Sequence, residues 1–210
     1  MNFIESKKLI EKYKIKFVKG KLVQNKTELK RTVKKLGFPI AMKIVSQDIS
    51  HKTDVGGVEL NIQNEKEAEK AFNRILRNVK KKKPKAKIQG IFVQKFIKGK
   101  QLIVGGKIDQ QFGPTILFGL GGIFVELMKD VSLRICPITR EDAKEMISEI
   151  KGYKILKGMR GEKAVNLKEL ENVLMKVNKM MMKEKIKELD INPLIANEKE
   201  IIAVDARVIE

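Results

Sequence analysis

The sequence is poor in the residues on which several classes of protein depend. It has one cysteine, one histidine and no tryptophan among its 210 residues. A single thiol forms no intrachain disulfide, so the cysteine content gives no argument for secretion. A zinc site built from nitrogen and sulfur ligands is disfavoured, because His51 and Cys136 are the only side chains of those two types.

Long hydrophobic stretches are missing as well. The longest apolar run, from Ile116 to Val125, is interrupted by three glycines and is too short to span a bilayer. The N-terminus is charged within its first residues and lacks the apolar stretch of a signal peptide. We therefore expect a cytoplasmic protein without a membrane partner. A chain of 210 residues suffices for one large domain or two small lobes.

The chain carries a formal net charge of +19, from 45 basic and 26 acidic residues. Only seven of the basic residues are arginine. The lysines recur on helix faces that lack apolar residues, as on the solvated surface of many hyperthermophilic proteins. Aromatic residues that stack on bases are sparse, so we expect no nucleic-acid partner, although a basic nucleic-acid-binding module stays an alternative. The charge suits anionic ligands such as nucleotides and acyl-CoA equally well.

The hydrophobic periodicity predicts an α/β protein in which helices and short strands alternate. The predicted helices run from Phe3 to about Tyr13, from a cap at Thr27, from Asn64, from Thr139 and from Asn166. The predicted strands cover 22–23, 40–45, 58–62, 88–97, 102–108, 114–118, 186–195 and 201–209. The pattern shifts near residue 89, which predicts two α/β lobes with a ligand cleft between them. We expect an N-terminal helical segment over 1–18, a first lobe over 19–89 and a second lobe over 90–210.

Two polar side chains near the first of these strands are candidates for chemistry. His51 lies in a polar, glycine-terminated stretch, 46–57, where it could act as an acid, a base or a covalent nucleophile. A phosphoryl-carrying nucleophile fits best with the rest of the chain. Lys43 lies inside the apolar strand 40–45, and it either extends to water or meets an anion such as a phosphate.

The last two strands place four polar side chains on one face. Asp190 and Asn192 are two residues apart, as are Asp205 and Arg207, so each pair lies on one side of its strand. A turn centred between residues 198 and 199 sets Asn192 opposite Asp205 and Asp190 opposite Arg207. Facing amide and carboxylate oxygens suit Mg²⁺. An exposed strand face with one Asp–Arg pair is the alternative. The other face carries only apolar residues: Leu189, Ile191, Val204 and Ala206.

A glycine-rich turn, 119–122, follows a predicted strand. Such turns let backbone N–H groups approach a phosphate. The spacing matches neither the Walker nor the dinucleotide-binding pattern, and a tight turn explains the glycines equally well.

Several motifs together resemble one family, and they occur over nearly the whole chain. They are 39–46 (PIAMKIVS), 50–57 (SHKTDVGG), 112–126 (FGPTILFGLGGIFVE), 129–134 (KDVSLR) and 188–193 (ELDINP). Through these motifs, the sequence resembles the β subunits of ADP-forming acetyl-CoA synthetases. These are ATP-grasp proteins related to the β subunit of succinyl-CoA synthetase. The resemblance implies an ATP-grasp fold, with two α/β lobes and a nucleotide cleft between them.

The resemblance also implies a reaction and a partner. Acyl-CoA, phosphate and ADP would interconvert with a free acid, CoA and ATP. A partner α subunit would bind CoA and carry its own phosphohistidine, in an α₂β₂ assembly. His51 would take the phosphoryl group from the partner and deliver it to ADP, and Asp190 would orient or stabilise the phosphorylated ring. Phosphoryl transfer of this kind depends chiefly on positioning and charge neutralisation.

The resemblance assigns the remaining site residues to ATP or ADP and to Mg²⁺. The implied nucleotide-binding residues are Lys43, Ser46, Gln94, Lys95, Phe96, Ile97, Gln101, Gly121 and Gly122. Within this set, Lys43 would hold phosphates, and the segment 94–97 would line the adenine through backbone groups. The implied Mg²⁺ ligands are Asn192 and Asp205.

The sequence departs from the family at two of these positions. The family usually has a carboxylate where Lys95 and Gln101 stand, and its absence at 101 bears on ribose contacts or nucleotide choice. Glu126 matches a family motif with either a structural role or one in the cleft. A second reading within ATP-grasp chemistry is a carboxylate–amine ligase that uses an acyl phosphate directly and gives His51 no covalent duty.

Overall fold

The computed structural model describes residues 1–49, 51–122, 130–159 and 161–210. The chain forms two compact units. The small unit is Val18–Ile97, and the large unit combines Met1–Phe17 with Lys98–Glu210. These limits differ from the expected lobes, 19–89 and 90–210, because a strand beyond residue 89 pairs inside the small sheet. The N-terminal segment belongs to the large unit, where the Met1 ammonium donates to the Val208 carbonyl at 3.1 Å.

The described helices and strands alternate along most of the chain, as the sequence pattern predicts. The helices are α1 (Phe3–Lys12), α2 (Lys26–Leu36), α3 (Glu65–Lys82), α4 (Arg140–Glu149), α5 (Tyr153–Leu156) and α6 (Leu167–Lys183). The strands are β1 (Gly20–Val23), β2 (Ile40–Val45), β3 (Val58–Ile62), β4 (Gly90–Lys95), β5 (Lys100–Asp109), β6 (Gly113–Leu120), β7 (Val131–Ile135), β8 (Glu188–Ala196), β9 (Ile201–Ala203) and β10 (Arg207–Ile209).

Asparagine or threonine side chains cap the N-termini of the described helices other than α5, whose cap residue is Gly152. Asn2, Asn64, Thr139 and Asn166 each accept a hydrogen bond from the backbone N–H three residues later, as predicted. The prediction of Thr27 as the cap of α2 is wrong. Asn25 occupies that position and accepts from the Glu28 N–H at 2.9 Å. The helix therefore begins at Lys26, two residues earlier than a cap at Thr27 would place its start.

The small unit contains a four-stranded antiparallel sheet in the order β1-β4-β2-β3. Helices α2 and α3 pack on one of its faces. Ile40, Met42 and Ile44 of β2 form a core there with Ile75 and Val79 of α3, among others, and all five are fully buried. Because side chains alternate along a strand, the intervening residues of β2 lie on the face that the helices leave uncovered.

The large unit contains a six-stranded antiparallel sheet, in which β10-β8-β5-β6-β7 are consecutive neighbours and β9 pairs with β8. Helices α4 and α6 cover one face. A side chain at Gly106 would collide with Met181 of α6, and Ser132 and Arg134 of β7 bond to Glu149 of α4. Hydrogen bonds from Arg134 and then Ser132 hold the pKa of the Glu149 carboxyl below its usual value. We call the opposite face of this sheet the site face.

The final hairpin is interrupted where one continuous strand was predicted. Residues 204–206 separate β9 from β10. Pro193 contributes to this break because it has no N–H to donate to the ladder, although its carbonyl accepts from the Val204 N–H at 3.1 Å. The four apolar residues predicted for the inner face are all buried: Leu189, Ile191, Val204 and Ala206.

No helix among the described residues combines the length and the apolar character needed to cross a bilayer.

Cys136 should be chemically silent in the folded protein. It is 6% exposed, and burial raises the pKa of its thiol to about 11. Since only the thiolate reacts, we expect an aromatic disulfide reagent at pH 8 to label the folded chain at least about 100-fold more slowly than the urea-unfolded chain. Labelling of the folded chain as fast as the unfolded one would contradict this placement.

Candidate functional site

Lys43 lies on the face of the small sheet opposite to α2 and α3. It falls between Met42 and Ile44, which point to the helices, and it is only 6% exposed. Its register partner on β4 is Phe92, which is also buried. A buried ammonium is costly unless acceptors or an anion accompany it. The burial of Lys43 argues against a side chain extended into water, and its contact with a phosphate stays a prediction.

Gln94 lies beside Lys43 on the same face. It pairs with Ala41, two residues before Lys43 on β2, so both side chains are on the side away from the helices. The Gln94 side chain is 3% exposed, and its Oε1 atom has no hydrogen-bond partner among the described residues. An unsatisfied buried acceptor is rare and destabilising. It fits a ligand that brings an N–H group.

The backbone after Gln94 is partly engaged within the small unit. The Lys95 N–H donates to the Lys19 carbonyl at 3.0 Å, and the Phe96 N–H donates to the Pro39 carbonyl at 3.1 Å. These two donors are therefore not available to an adenine. Ile97 has no backbone acceptor for its N–H among the described residues, so it is the amide of this segment that remains for a ligand.

Lys95 stands where the family usually has a carboxylate, and its ammonium group makes a hydrogen bond within the small unit. Its ammonium donates to the Phe38 carbonyl at 2.9 Å, and it approaches Gly37 at the end of α2. The side chain thus ties β4 to the loop between α2 and β2, both within the small unit.

His51 is exposed on the loop that joins β2 to β3. Two apolar residues of this loop, Ile49 and Val55, are buried in the core formed with α2 and α3. They hold the loop on both sides of the histidine. The imidazole is therefore presented to the surroundings from a backbone that is anchored two residues before it and four residues after it.

Polar contacts fix the beginning of the same loop. The Ser46 hydroxyl accepts from the Asp48 N–H at 3.2 Å. The Asp48 carboxylate in turn accepts from the Lys87 N–H at 2.7 Å. The Ser46 oxygen thus has a local structural role, and its assignment to the nucleotide stays a prediction.

The end of the loop is fastened to α3 and to β2. The Lys82 ammonium donates to the Asp54 carbonyl at 2.5 Å, and the Ile44 N–H donates to the Gly57 carbonyl at 2.8 Å. Gly57 has no space for a side chain, because a Cβ atom there would lie 2.5 Å from Cγ2 of Ile44. The glycines that end the motif therefore serve close packing around the loop.

Asp190 lies in the site face of the large sheet, as predicted. It is half-buried on β8 between the buried Leu189 and Ile191. It pairs with Arg207 of β10, which confirms the predicted register of the last two strands. On its other side it pairs with Gly105 of β5, where the missing side chain leaves room beside the carboxylate.

Asn192 is exposed at an irregularity of β8. Leu102 of β5 pairs with Leu194, and Val104 pairs with Ile191, so Asn192 and Pro193 together oppose the single residue between them. Such a β-bulge bends a strand and changes the direction of a side chain. The bulge sets Asn192 at an interruption within the β8–β5 ladder, which resumes at Leu194.

Asp205 lies in the break between β9 and β10, at the register position opposite Asn192. Its side chain is half-buried, and its Oδ1 atom accepts from the Ala206 N–H at 3.0 Å, which orients the carboxylate. The amide oxygen of Asn192 and the carboxylate of Asp205 are hard oxygen donors. They fit Mg²⁺, which needs few protein ligands when phosphate oxygens and water complete its shell.

The residues predicted near the ribose and phosphates meet at the end of β6. The Gly121 N–H donates to the Gln101 carbonyl at 2.7 Å. A Cβ atom on Gly121 would lie 3.1 Å from the backbone of Gln101 and Leu102, and Gly122 has φ +67°. Close backbone approach and a left-handed turn thus explain these two glycines, and their contact with phosphate stays a prediction. Gln101 is exposed beside them.

Parts of the motifs lie outside the described residues. These are Ser50, next to His51, and the segment 123–129, which includes Glu126. Among the described residues there is no group of three or more histidine, cysteine, aspartate or glutamate side chains able to hold a metal by themselves. The assignment of Mg²⁺ to Asn192 and Asp205 stays a prediction.

Sequence reasoning did not single out Phe92. This residue is buried on the face that Lys43 and Gln94 share, and its alternation with Ile91 and Val93 along β4 is the signal that would have found it. Its ring also limits the space above β1, since a Cβ atom on Gly20 would lie 2.7 Å from it.

A cavity of about 660 Å³ in the large unit contains none of the predicted site residues. Its lining residues are Lys12, Tyr13, Lys14, Lys176, Lys179, Lys183 and Glu184. Glu184 accepts from the Tyr13 hydroxyl at 2.7 Å and from the Lys12 ammonium at 2.8 Å. Burial, together with the hydrogen bond to Glu184, raises the pKa of Tyr13 to about 12. These contacts join the ends of α1 and α6.

The class of protein follows from the fold and from the match to a family model together. A model of the ATP-grasp domain matches residues 1–209. The chain therefore belongs to the ATP-grasp family, and the predicted fold is confirmed.

Two named relatives are similar to the chain over nearly its whole length. The chain is 47% identical, over 207 residues, to the β subunit of ADP-forming acetate–CoA ligase I of Pyrococcus furiosus. The match covers 98% of this chain and 89% of that subunit. It is also 44% identical to ADP-forming acetate–CoA ligase I of Archaeoglobus fulgidus, where it covers 96% of this chain but 30% of that longer protein. The resemblance inferred from the motifs is confirmed.

Two solved structures of one enzyme match this chain over nearly its whole length. An acetyl-coenzyme A synthetase of Ca. Korarchaeum cryptofilum, in complex with coenzyme A and Ca-AMPCP, is 43% identical and superposes with a TM-score of 0.95. The match covers 100% of this chain and 92% of that one. A second structure of that enzyme contains coenzyme A and Mg-AMPPCP, with a phosphohistidine segment that points towards the nucleotide-binding site (TM-score 0.82, 39% identity, over 99% of this chain and 91% of that one).

Replacing Gln94 by leucine should separate folding from ligand binding. Because its buried Oε1 atom has no donor in the part of the chain that the structure describes, Gln94→Leu should leave the free energy of unfolding unchanged or raise it by about 1 kcal/mol. The same variant should bind adenine nucleotides at least about 5-fold more weakly, because the acceptor for the ligand is lost. Calorimetry of ATP binding and urea unfolding measure the two effects.

Asn178→Leu is the matched control for Gln94→Leu. Asn178 is a buried amide of α6 whose Oδ1 atom accepts from the Ile138 N–H at 3.1 Å. Its loss should lower the free energy of unfolding by about 1–3 kcal/mol and leave the nucleotide affinity unchanged. Destabilisation by Gln94→Leu with normal ATP affinity would show that Gln94 is a structural amide.

Proposed function

We propose that this chain is the nucleotide-binding β subunit of an ADP-forming acyl-CoA synthetase. The enzyme interconverts acyl-CoA, phosphate and ADP with a free acid, CoA and ATP. It works in the cytosol with an α subunit that binds CoA and carries its own phosphohistidine, in an α₂β₂ assembly. The proposal is supported by the 47% identity to a β subunit of this class over 98% of the chain.

The observation that carries the mechanism is the placement of His51. The only imidazole of the chain is exposed, and its loop is held by the buried Ile49 and Val55. A neutral imidazole nitrogen is a good nucleophile towards phosphorus, and the N–P bond of phosphohistidine retains a high transfer potential. An exposed ring on an anchored backbone can meet first a donor and then an acceptor.

The proposed transfer is a pair of displacements at phosphorus. A nitrogen of His51 attacks the phosphoryl group on the partner's phosphohistidine, so one N–P bond forms as the other breaks and the partner imidazole leaves. A β-phosphate oxygen of ADP then attacks the phosphoryl group on His51. That step forms the terminal P–O bond of ATP and returns a neutral imidazole. The reverse sequence uses ATP to phosphorylate His51.

Charge neutralisation is assigned to lysine side chains and to a metal. Lys43 binds nucleotide phosphates, and Lys52, next to His51, attracts the transferred group. Asn192 and Asp205 would hold Mg²⁺, which would supply neutralisation of phosphate charge. Asp190 stabilises a phosphorylated imidazole ring.

The lone histidine makes a direct test possible. The chain, freed of any histidine tag, is incubated with Mg²⁺ and γ-labelled ATP. We expect base-stable, acid-labile label at up to one phosphoryl group per chain, because phosphoramidates resist base and hydrolyse in acid. His51→Ala should carry no label. His51→Ala should also bind ATP within about 2-fold of the parent chain, because an exposed substitution leaves the fold intact.

Two outcomes would count against the relay. Equal label in the His51→Ala variant would place the phosphoryl group on another residue. Nucleotide binding by the parent chain without any label would favour the carboxylate–amine ligase, which needs no phosphohistidine.

The metal assignment is tested by Asp205→Asn. The amide keeps an oxygen acceptor for the Ala206 N–H, so the variant should fold normally, but it loses the negative charge. We expect the Mg²⁺ concentration for half-maximal ATP binding to rise at least about 10-fold. Glu188→Gln is the matched control, because Glu188 is an exposed carboxylate at the start of β8, away from Asn192 and Asp205. An unchanged Mg²⁺ dependence in Asp205→Asn would reject this ligand.

A further inference from the structure

Strand β7 exposes its apolar side chains and covers its polar ones. Val131, Leu133 and Ile135 are 38%, 57% and 50% exposed. They alternate along the strand and so form one row on one face. Isolated apolar residues at a surface are common, but three in a row on one strand form a contiguous patch of the kind that marks interaction sites.

Polar contacts on the opposite face of β7 explain why the strand cannot pair with its two faces exchanged. Ser132 is buried and donates to Glu149 of α4, and Arg134 makes a two-pronged pair with the same carboxylate at 2.7 and 2.8 Å. A shift of one residue in register would expose these polar partners and bury the row against α4. The polar contacts therefore fix the apolar row on the site face.

The row continues directly into the candidate site. Leu133 pairs with Leu117 of β6, which pairs with Gly105 of β5, which pairs with Asp190 of β8. Three steps between neighbouring strands of about 4.8 Å set the row about 14 Å from Asp190 across one face of the sheet. The ladder ends with Arg207 of β10.

The sheet edge at which the row lies has few of the features that keep an edge strand from pairing with another chain. Within the described part of the chain, β7 is the last strand of its sheet. Proteins usually guard such edges with charged residues or prolines on the exposed face. The exposed face of β7 carries three aliphatic side chains and no charge.

We propose that the row formed by Val131, Leu133 and Ile135 is the docking surface for the partner α subunit. The inference rests on the proposed function. It is supported by the shared face with Asp190 and by the length of the relatives. This chain spans 30% of the Archaeoglobus ligase, so most of that protein corresponds to sequence outside this chain. The partner surface is aliphatic at its centre and acidic or neutral at its rim, because the chain itself carries a net charge of +19.

A second copy of this chain is the weaker occupant. It would cover the row, but it would supply neither the CoA site nor the separate phosphohistidine that the proposed function assigns to the α subunit. Docking of the α subunit on the row brings its phosphohistidine to the face that carries Asp190.

The test compares two aspartate substitutions at equally exposed leucines. Leu133→Asp changes the centre of the row, and Leu60→Asp changes an exposed residue of β3 in the small unit; both leucines are 57% exposed. The probe is the purified α subunit of ADP-forming acetate–CoA ligase I of Pyrococcus furiosus, whose β subunit is 47% identical to this chain. Binding is measured by calorimetry, folding by thermal unfolding, and the state of each chain alone by size-exclusion chromatography with light scattering.

Leu133→Asp should weaken α-subunit binding at least about 30-fold, as expected for a central interface residue, whereas Leu60→Asp should stay within about 2-fold of the parent chain. Both variants should unfold at the parent's temperature and accept label from ATP at His51. Equal affinities of the two variants would overturn the docking surface. Absence of any complex with the parent chain would do the same, as would a dimer of the parent chain that Leu133→Asp dissociates. Normal His51 labelling in those cases would leave the proposed function standing, and its absence would remove both.

Discussion

The described helices pack on one face of each sheet, and the strand pleat decides which residues lie on the other face. On β2 the same alternation that buries Met42 and Ile44 against α3 places Lys43 on the uncovered side. On β8 it places Asp190 on the side opposite α4 and α6. Polar groups that a core would reject are thereby held on rigid strands, where they keep fixed positions for a charged substrate.

The exposure of His51 follows from the different roles of the residues in its loop. Ile49 and Val55 contribute apolar surface to the core of the small unit, and Lys82 of α3 holds the Asp54 carbonyl. The residue between the anchors is freed from packing and presents its ring outward. A relay residue has to contact two different molecules in turn, and an exposed ring is accessible to both.

Local patterns predicted much of this arrangement. Helix caps such as Asn64 and Thr139, and the pairing of Asp190 with Arg207, follow from spacing within a few residues or across one short turn. The unit boundary did not, because β4 joins the small sheet through pairing with β1 and β2, which are distant in sequence. The bulge at Asn192 depends likewise on the register of β5. The orientation of β7 depends on Glu149, a partner in a helix that the sequence of the strand does not reveal.

The most direct test of the account starts from the phosphorylated chain. Chain labelled at His51 is freed of nucleotide, mixed with ADP and Mg²⁺, and quenched at short times. The relay predicts that the label leaves the chain at the rate at which labelled ATP appears, with one ATP formed per phosphoryl group lost. Label that stays on His51, or that is released as inorganic phosphate without ATP, would contradict a phosphoryl relay through this residue.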